Sequence, residues 1–262
     1  MNNVRSKDAT RVAFDRAGTQ PALTLSAARL GRVHDVMAGY VERGQVPGLV
    51  TLVSRRGDVH VDAIGTQSLG SGEPMQRDTL FRISSMTKPI TAAATLILVE
   101  ECRLRLDEPV DALLPELANR DVLKRLESPL DDTLPANRPI TLRDLLTFRL
   151  GFGQMLARPD AYPILKAAND LHIGMGPPNP SEQPAPDEWL RRLGSLPLMH
   201  QPGAKWMYNT GSDVLGVLIA RAAGQPFETF LRERIFEPLR MHDTRFYVEP
   251  GRLDRFATSY WP

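Results

Sequence analysis

The stretch FRISSMTKPITAAATLILVEE, residues 81–101, decides both the fold and the chemistry. Its head carries serines and threonines and its body is apolar and alanine-rich, which predicts a buried helix. Residues three apart share a helix face, so Ser85-Met86-Thr87-Lys88 puts the Ser85 hydroxyl and the Lys88 amine within hydrogen-bonding reach. Pro89 lacks an N–H and is tolerated best near a helix start, which places Ser85 at the N-terminal end. A free lysine, with a pKa of about 10.4, is a poor base at neutral pH. Burial and the positive end of a helix dipole disfavour its charged form, and the neutral amine can then accept the serine proton. Alone, Ser-x-x-Lys is a weak signal, arising by chance in roughly one chain in five of this composition. Its setting adds weight: only five of the 32 Lys and Arg residues are lysine, and arginine cannot serve as a base. A solvated Lys88 is the competing reading.

A second cluster lies downstream at PGAKWMYNTG, residues 202–211. Turn residues bracket it, an extended segment between them puts Trp206 and Tyr208 on one face, and an apolar helix follows. A Tyr208 hydroxyl set against a Ser-Lys pair can shuttle the proton to a leaving group. An aromatic pair packing the helix into the core explains the same residues equally well.

Working outward, residues 23–45 space Leu30, Val33, Val36, Met37 and Tyr40 as one face of an amphipathic helix. The runs 49–55 and 58–65 form a hairpin around Arg56-Gly57-Asp58. TLRD, residues 141–144, resembles a capping box with Asp in place of Glu, opening a short helix of Leu142, Leu145 and Leu146 that stops at Gly151. The proline-dense stretch 174–187 excludes regular structure, and Asp187 caps a helix bearing Trp189, Leu190 and Leu193. A helix over 211–223 presents Val214, Leu215, Leu218 and Ile219. Pro226 starts another through Phe230 and Ile235, and Thr244–Val248 reads as a return strand. Cys102, at the end of the apolar helix, is expected to be buried packing.

Composition excludes several classes. The chain has 262 residues, 42% hydrophobic and 24% charged, which suits a globular protein with a substantial core. A net charge of +1 is too balanced for a nucleic-acid partner. The longest apolar run, Ile90–Val99, is far short of the ~20 residues of a membrane span. A polar N-terminus of mixed charge and a single cysteine are consistent with a cytoplasmic protein without disulfides. There is no Gly-x-Ser-x-Gly and no His-Glu-x-x-His, and the five histidines are scattered, so neither a nucleophile elbow nor a metal site is indicated.

Taken together, four stretches resemble the serine β-lactamase and penicillin-recognising superfamily, specifically class C β-lactamases and family VIII carboxylesterases. They are FRISSMTKPITAAATLILVEE, LRLDEPVDALLPEL, ITLRDLLTFRLGFG and QPGAKWMYNTGSDVLGVLIARAAGQPFETFLRERIFEPLRMHDTRFYV. The resemblance implies Ser85 as acylated nucleophile, Lys88 as its activating base and Tyr208 as proton shuttle, with no cofactor. Gln154, Trp206 and Thr210 become the candidate substrate contacts, although Thr210 stands where the family's Tyr-x-Asn element has Asn. The implied fold is α/β (α+β): an antiparallel sheet flanked by helices, with an inserted all-helical domain. Residues 1–24 form a tail, 25–80 and 226–262 a partial α/β domain, and 81–225 the helical domain. Family members continue past the TRFYV strand, so the sheet is expected to be incomplete, and the further strand would supply a second oxyanion-hole donor. The implied substrate is a small-molecule ester. An amide, β-lactam or D-amino-acid peptide on the same site is the alternative, as is a non-catalytic ligand-binding relative; the oligomeric state is left open.

Overall fold

The computed structural model describes residues 25–174 and 181–260; the expected tail and part of the proline-dense stretch lie outside the described residues. The chain divides into two compact units, one running to Arg82 and resuming at Tyr247, the other spanning Ile83–Phe246.

In the first unit, helix α1 (Ala27–Glu42) begins where the Ser26 side chain accepts from the Arg29 amide. It packs on an antiparallel hairpin of β1 (Gly48–Arg55) and β2 (Asp58–Gly65), in which Arg55 faces Asp58. Arg56 and Gly57 both have positive φ, 50° and 90°, the two-residue turn whose twist matches the flanking strands and which favours glycine. His34 of α1 meets Asp62 of β2 at 2.7 Å. The apolar face read in the sequence is only half covered: Val33, Val36 and Tyr40 on α1, and Leu52 and Val59 on the hairpin, are exposed. Leu80 pairs with Phe256 through hydrogen bonds to Arg255 and Ala257, which brings the returning chain back to this unit.

The second unit is built on helices. Helix α2 (Thr87–Glu100) lies against the later α6 (Thr210–Ala223). Around them sit α3 (Leu142–Leu146), α4 (Pro163–Asp170), α5 (Pro186–Gly194) and α7 (Phe227–Leu231). A short ribbon of β3 (Asp121–Leu123) and β4 (Thr133–Pro135) was not expected from the sequence. The core joins Leu98, Leu114, Leu145, Phe152, Leu190, Leu218 and Phe230. Arg120 is buried and donates to the carbonyls of Leu193, Gly194 and Leu196 at and just past the end of α5, where helical carbonyls run short of donors.

The capping box forms: Thr141 accepts from the Asp144 amide and Asp144 from the Thr141 amide. Arg138 then grips Asp144 through two bonds of 2.6 and 2.9 Å. Helix α3 ends at Leu146, before Gly151, because Phe148 already turns left-handed at φ 56°.

Four local expectations are corrected. Thr244–Val248 is not a strand; no strand pairs with it among the described residues, and Phe246 packs against Phe227 at 5.7 Å between ring centroids. Residues 226–246 belong with the helical unit, because Phe230, Leu231 and Phe236 are buried in its core. Asp187 is not a cap: Pro186, whose fixed φ suits the first helical position, starts α5, and Asp187 binds Arg221 at 2.7 Å. Cys102 is exposed, in a left-handed turn (φ 57°) just past the end of α2.

Among the described residues, no helix is long and apolar enough to cross a membrane.

Candidate active site

The N-terminus of α2 carries the first part of the site. Ser84–Met86 form a tight helical turn that leads into α2, with Ser84 left-handed at φ 40°. Pro89 is the third residue of α2, in the first turn, where a missing N–H leaves no helical bond unmade. The Lys88 amine donates to the Ser85 hydroxyl oxygen at 3.1 Å. Behind them, Thr91 and Thr95 are buried and donate their hydroxyls to the Thr87 and Thr91 carbonyls, which makes polar side chains compatible with an apolar helix interior.

The second part precedes α6. The Tyr208 carbonyl accepts from the Gln154 amide at 2.8 Å and from the Thr210 amide at 3.3 Å. Between them Asn209 has φ 81° and ψ −73°, a γ-turn that is rare and strained for a residue with a side chain. Such backbone costs on the order of 1–3 kcal/mol and collects at functional sites. The approach of the 152–154 segment depends on Gly153, where a Cβ would lie 2.7 Å from both the Tyr208 carbonyl oxygen and the Met207 side chain.

Tertiary packing brings the two parts together. Hydrogen bonds to Ser85 and then Lys88, followed by the nearby Lys88 charge, hold the Tyr208 phenol below its usual pKa against the opposing effect of burial. The Lys88 amine lies 4.6 Å from the Tyr208 ring centroid. Trp206 stacks on Tyr208 at 5.8 Å, and Phe148 meets both rings at 6.1 and 5.7 Å. Tyr208 thus packs as an aromatic residue against Trp206 and Phe148 while its ring lies beside the Lys88 amine. Trp206 is 57% exposed beside them, so its face is open to a ligand.

The other candidate contacts fare differently. Gln154 is half-buried and joins the site through its backbone bond to Tyr208. Thr210 is only 2% exposed, because it opens α6 against the core, so its side chain is closed to a ligand. The sequence reading missed Phe148, Asn209 and Asp213. The last two are four apart at the start of α6, with the Asn209 amide donating to the Asp213 carboxylate at 3.4 Å; polar residues at that spacing, directly after Tyr208, were the available signal. Among the described residues no cluster of three or more His, Cys, Asp or Glu could hold a metal ion.

The chain is similar to several known proteins. It is 41% identical over 84% of its length to an uncharacterised protein of Mycobacterium tuberculosis, covering 52% of that protein. It is 36% identical over 91% of its length to esterase EstB of Burkholderia gladioli, covering 57% of it. Among solved structures, EstCE1, described as a hydrolase with promiscuous acyltransferase activity, superposes with a TM-score of 0.74 at 29% identity, over 88% of this chain and 56% of that one. The chain thus spans little more than half the length of the relatives it matches. Its fold is the β-lactamase/transpeptidase-like fold. With residues 33–262 matching the family model described as Beta-lactamase, the chain belongs to that family.

Proposed function

We propose that the protein is a cofactor-free serine hydrolase that forms an acyl-enzyme, with carboxylic esters as its substrates. One observation carries the reading: the Ser85 hydroxyl oxygen is 3.1 Å from the Lys88 amine, and the Tyr208 ring lies beside that amine, 4.6 Å from it to the ring centroid. Ser85 Oγ attacks the ester carbonyl carbon and its proton passes to the Lys88–Tyr208 pair. The tetrahedral adduct collapses, the bond to the alkoxy oxygen breaks, and the same proton leaves with the alcohol. Water then attacks the acyl-enzyme, gives a proton to the pair, and the carboxylic acid departs as Ser85 regains its hydrogen.

The similarity to esterase EstB supports ester over amide chemistry. So does the burial of Thr210, at the position where β-lactamases of the resembled class use an amide to contact substrate. The test is intact mass after a fluorophosphonate label, together with hydrolysis of p-nitrophenyl butyrate. A single adduct and ester turnover, both lost in Ser85→Ala, are expected. Efficient turnover of a chromogenic cephalosporin without esterase activity overturns the ester reading, and a folded chain that never labels favours a non-catalytic binder.

A second reading, acyl transfer to an alcohol, is favoured by the open ring of Trp206 next to Tyr208, on which an apolar acceptor can compete with water, and by the promiscuous acyltransferase activity ascribed to EstCE1. Adding a primary alcohol to the assay and measuring the ester formed distinguishes the two.

A further inference from the structure

We propose that Asp213 is a positioning residue for this site: from a helix packed against the one that carries Lys88, it anchors the Asn209 turn that presents Tyr208. The inference rests on the Ser85–Lys88–Tyr208 reading.

The anchor is geometric. A γ-turn centred on a non-glycine residue opens into ordinary backbone unless its surroundings hold it. Here the backbone side is held by the Gln154 and Thr210 amides on the Tyr208 carbonyl, and the side-chain side by the Asn209 amide on Asp213. Asp213 lies in the first turn of α6, on a helix packed against α2, so its carboxylate is fixed relative to Lys88 rather than carried on a loop.

The charge arrangement is unusual within this unit. On the elements packed against α6, Arg143 and Asp144 of α3 pair with Asp107 and Arg138, and Arg191 and Arg192 of α5 pair with Glu188. Asp187 binds Arg221 of α6 itself, and Glu228 of α7 faces Arg232. Glu100 lies at the far end of α2 from Lys88. Lys88 is left as the cation acting on Asp213. Although Asp213 is open to solvent, the protein crowded around it pushes its carboxyl up to about 6, while the Lys88 charge pulls it back. Carboxyl groups shifted in this direction beside a reactive group cluster at functional sites.

The consequence is a site whose anchor weakens when Asp213 takes up a proton, because the Asn209 amide then donates to a neutral acceptor. The test compares the wild-type chain with Asp213→Asn, Asp213→Glu, Asn209→Ala and Ser85→Ala, all checked for folding by circular dichroism. Two readouts are followed against pH: kcat and KM for p-nitrophenyl butyrate, and the ring resonances of isotope-labelled tyrosine, assigned to Tyr208 through Tyr208→Phe. Expected for the wild type are an acid limb in kcat and a Tyr208 resonance inflection, both near the Asp213 midpoint. In Asp213→Asn the inflection disappears and kcat falls about tenfold to a hundredfold, the scale of a misplaced catalytic group, with little change in KM. Asp213→Glu restores part of the rate, and Asn209→Ala lowers kcat but keeps the inflection. A Tyr208 resonance without the inflection, or one that keeps it in folded Asp213→Asn, overturns the proposal whether or not the chain turns over ester. Esterase activity that survives Ser85→Ala defeats the underlying reading instead.

Discussion

The Lys88 amine sits 3.1 Å from the Ser85 hydroxyl oxygen across a junction that is not uniform α-helix: Ser85 belongs to a tight entering turn and Lys88 to the first turn of α2. The three-residue spacing survives the change of helix type because a tighter turn also brings i and i+3 onto one face. Ser85→Ala is expected to lower esterase turnover at least about 10³-fold and Tyr208→Phe about 10²–10⁴-fold. Lys88→Arg should fail like Lys88→Ala, because guanidinium keeps its proton. Steady-state kinetics with p-nitrophenyl butyrate measure all four.

Trp206 offers an open ring face held in place by Tyr208 and Phe148. An aromatic contact is worth about 0.5–1.5 kcal/mol, so Trp206→Ala should raise KM about two- to tenfold for a phenylacetyl ester. The acetyl ester of the same alcohol should change little. Equal effects on both esters would place Trp206 outside the acyl-binding surface.

Asp144 ties the Arg138 guanidinium to the start of α3. Burial pushes its carboxyl up, but Arg138 and the Thr141 amide and hydroxyl more than compensate, leaving it below the usual 3.8. A depressed carboxyl contributes stability that is present above the unfolded-state pKa and is lost as pH falls through the folded-state value. The thermal midpoint should therefore drop below about pH 4, and Asp144→Asn should flatten that drop. At neutral pH the same substitution should cost about 3 kcal/mol, because Arg138 and the cap lose their charged partner, which denaturant unfolding will show.

Arg120 is buried with its guanidinium on three carbonyls at the end of α5. Burial pulls it down to about 10, which leaves it charged at neutral pH. Arg120→Ala should destabilise the helical unit by about 1–3 kcal/mol by stranding the Gly194 and Leu196 carbonyls. Arg120→Lys should recover little, since one ammonium does not match the planar fork. Chemical denaturation of both variants checks the difference.

The Ser85–Lys88 pairing, the hairpin around Gly57, the capping box at Thr141–Asp144 and the apolar faces of α2 and α6 were legible in the sequence. Each depends on residues within a few positions of one another, where helix and strand periodicity fix which side chains share a face. Local pattern went wrong where a partner was needed. Thr244–Val248 reads like a strand but has no strand partner among the described residues, and the apolar helix that suggested a buried Cys102 ends before reaching it. Only the tertiary structure decided that the Tyr208 ring lies beside the Lys88 amine, that Thr210 faces the core, and that the Lys88 charge acts on Asp213. These follow from the packing of α6 on α2, a contact between segments far apart in the chain, which no periodicity within either segment can encode.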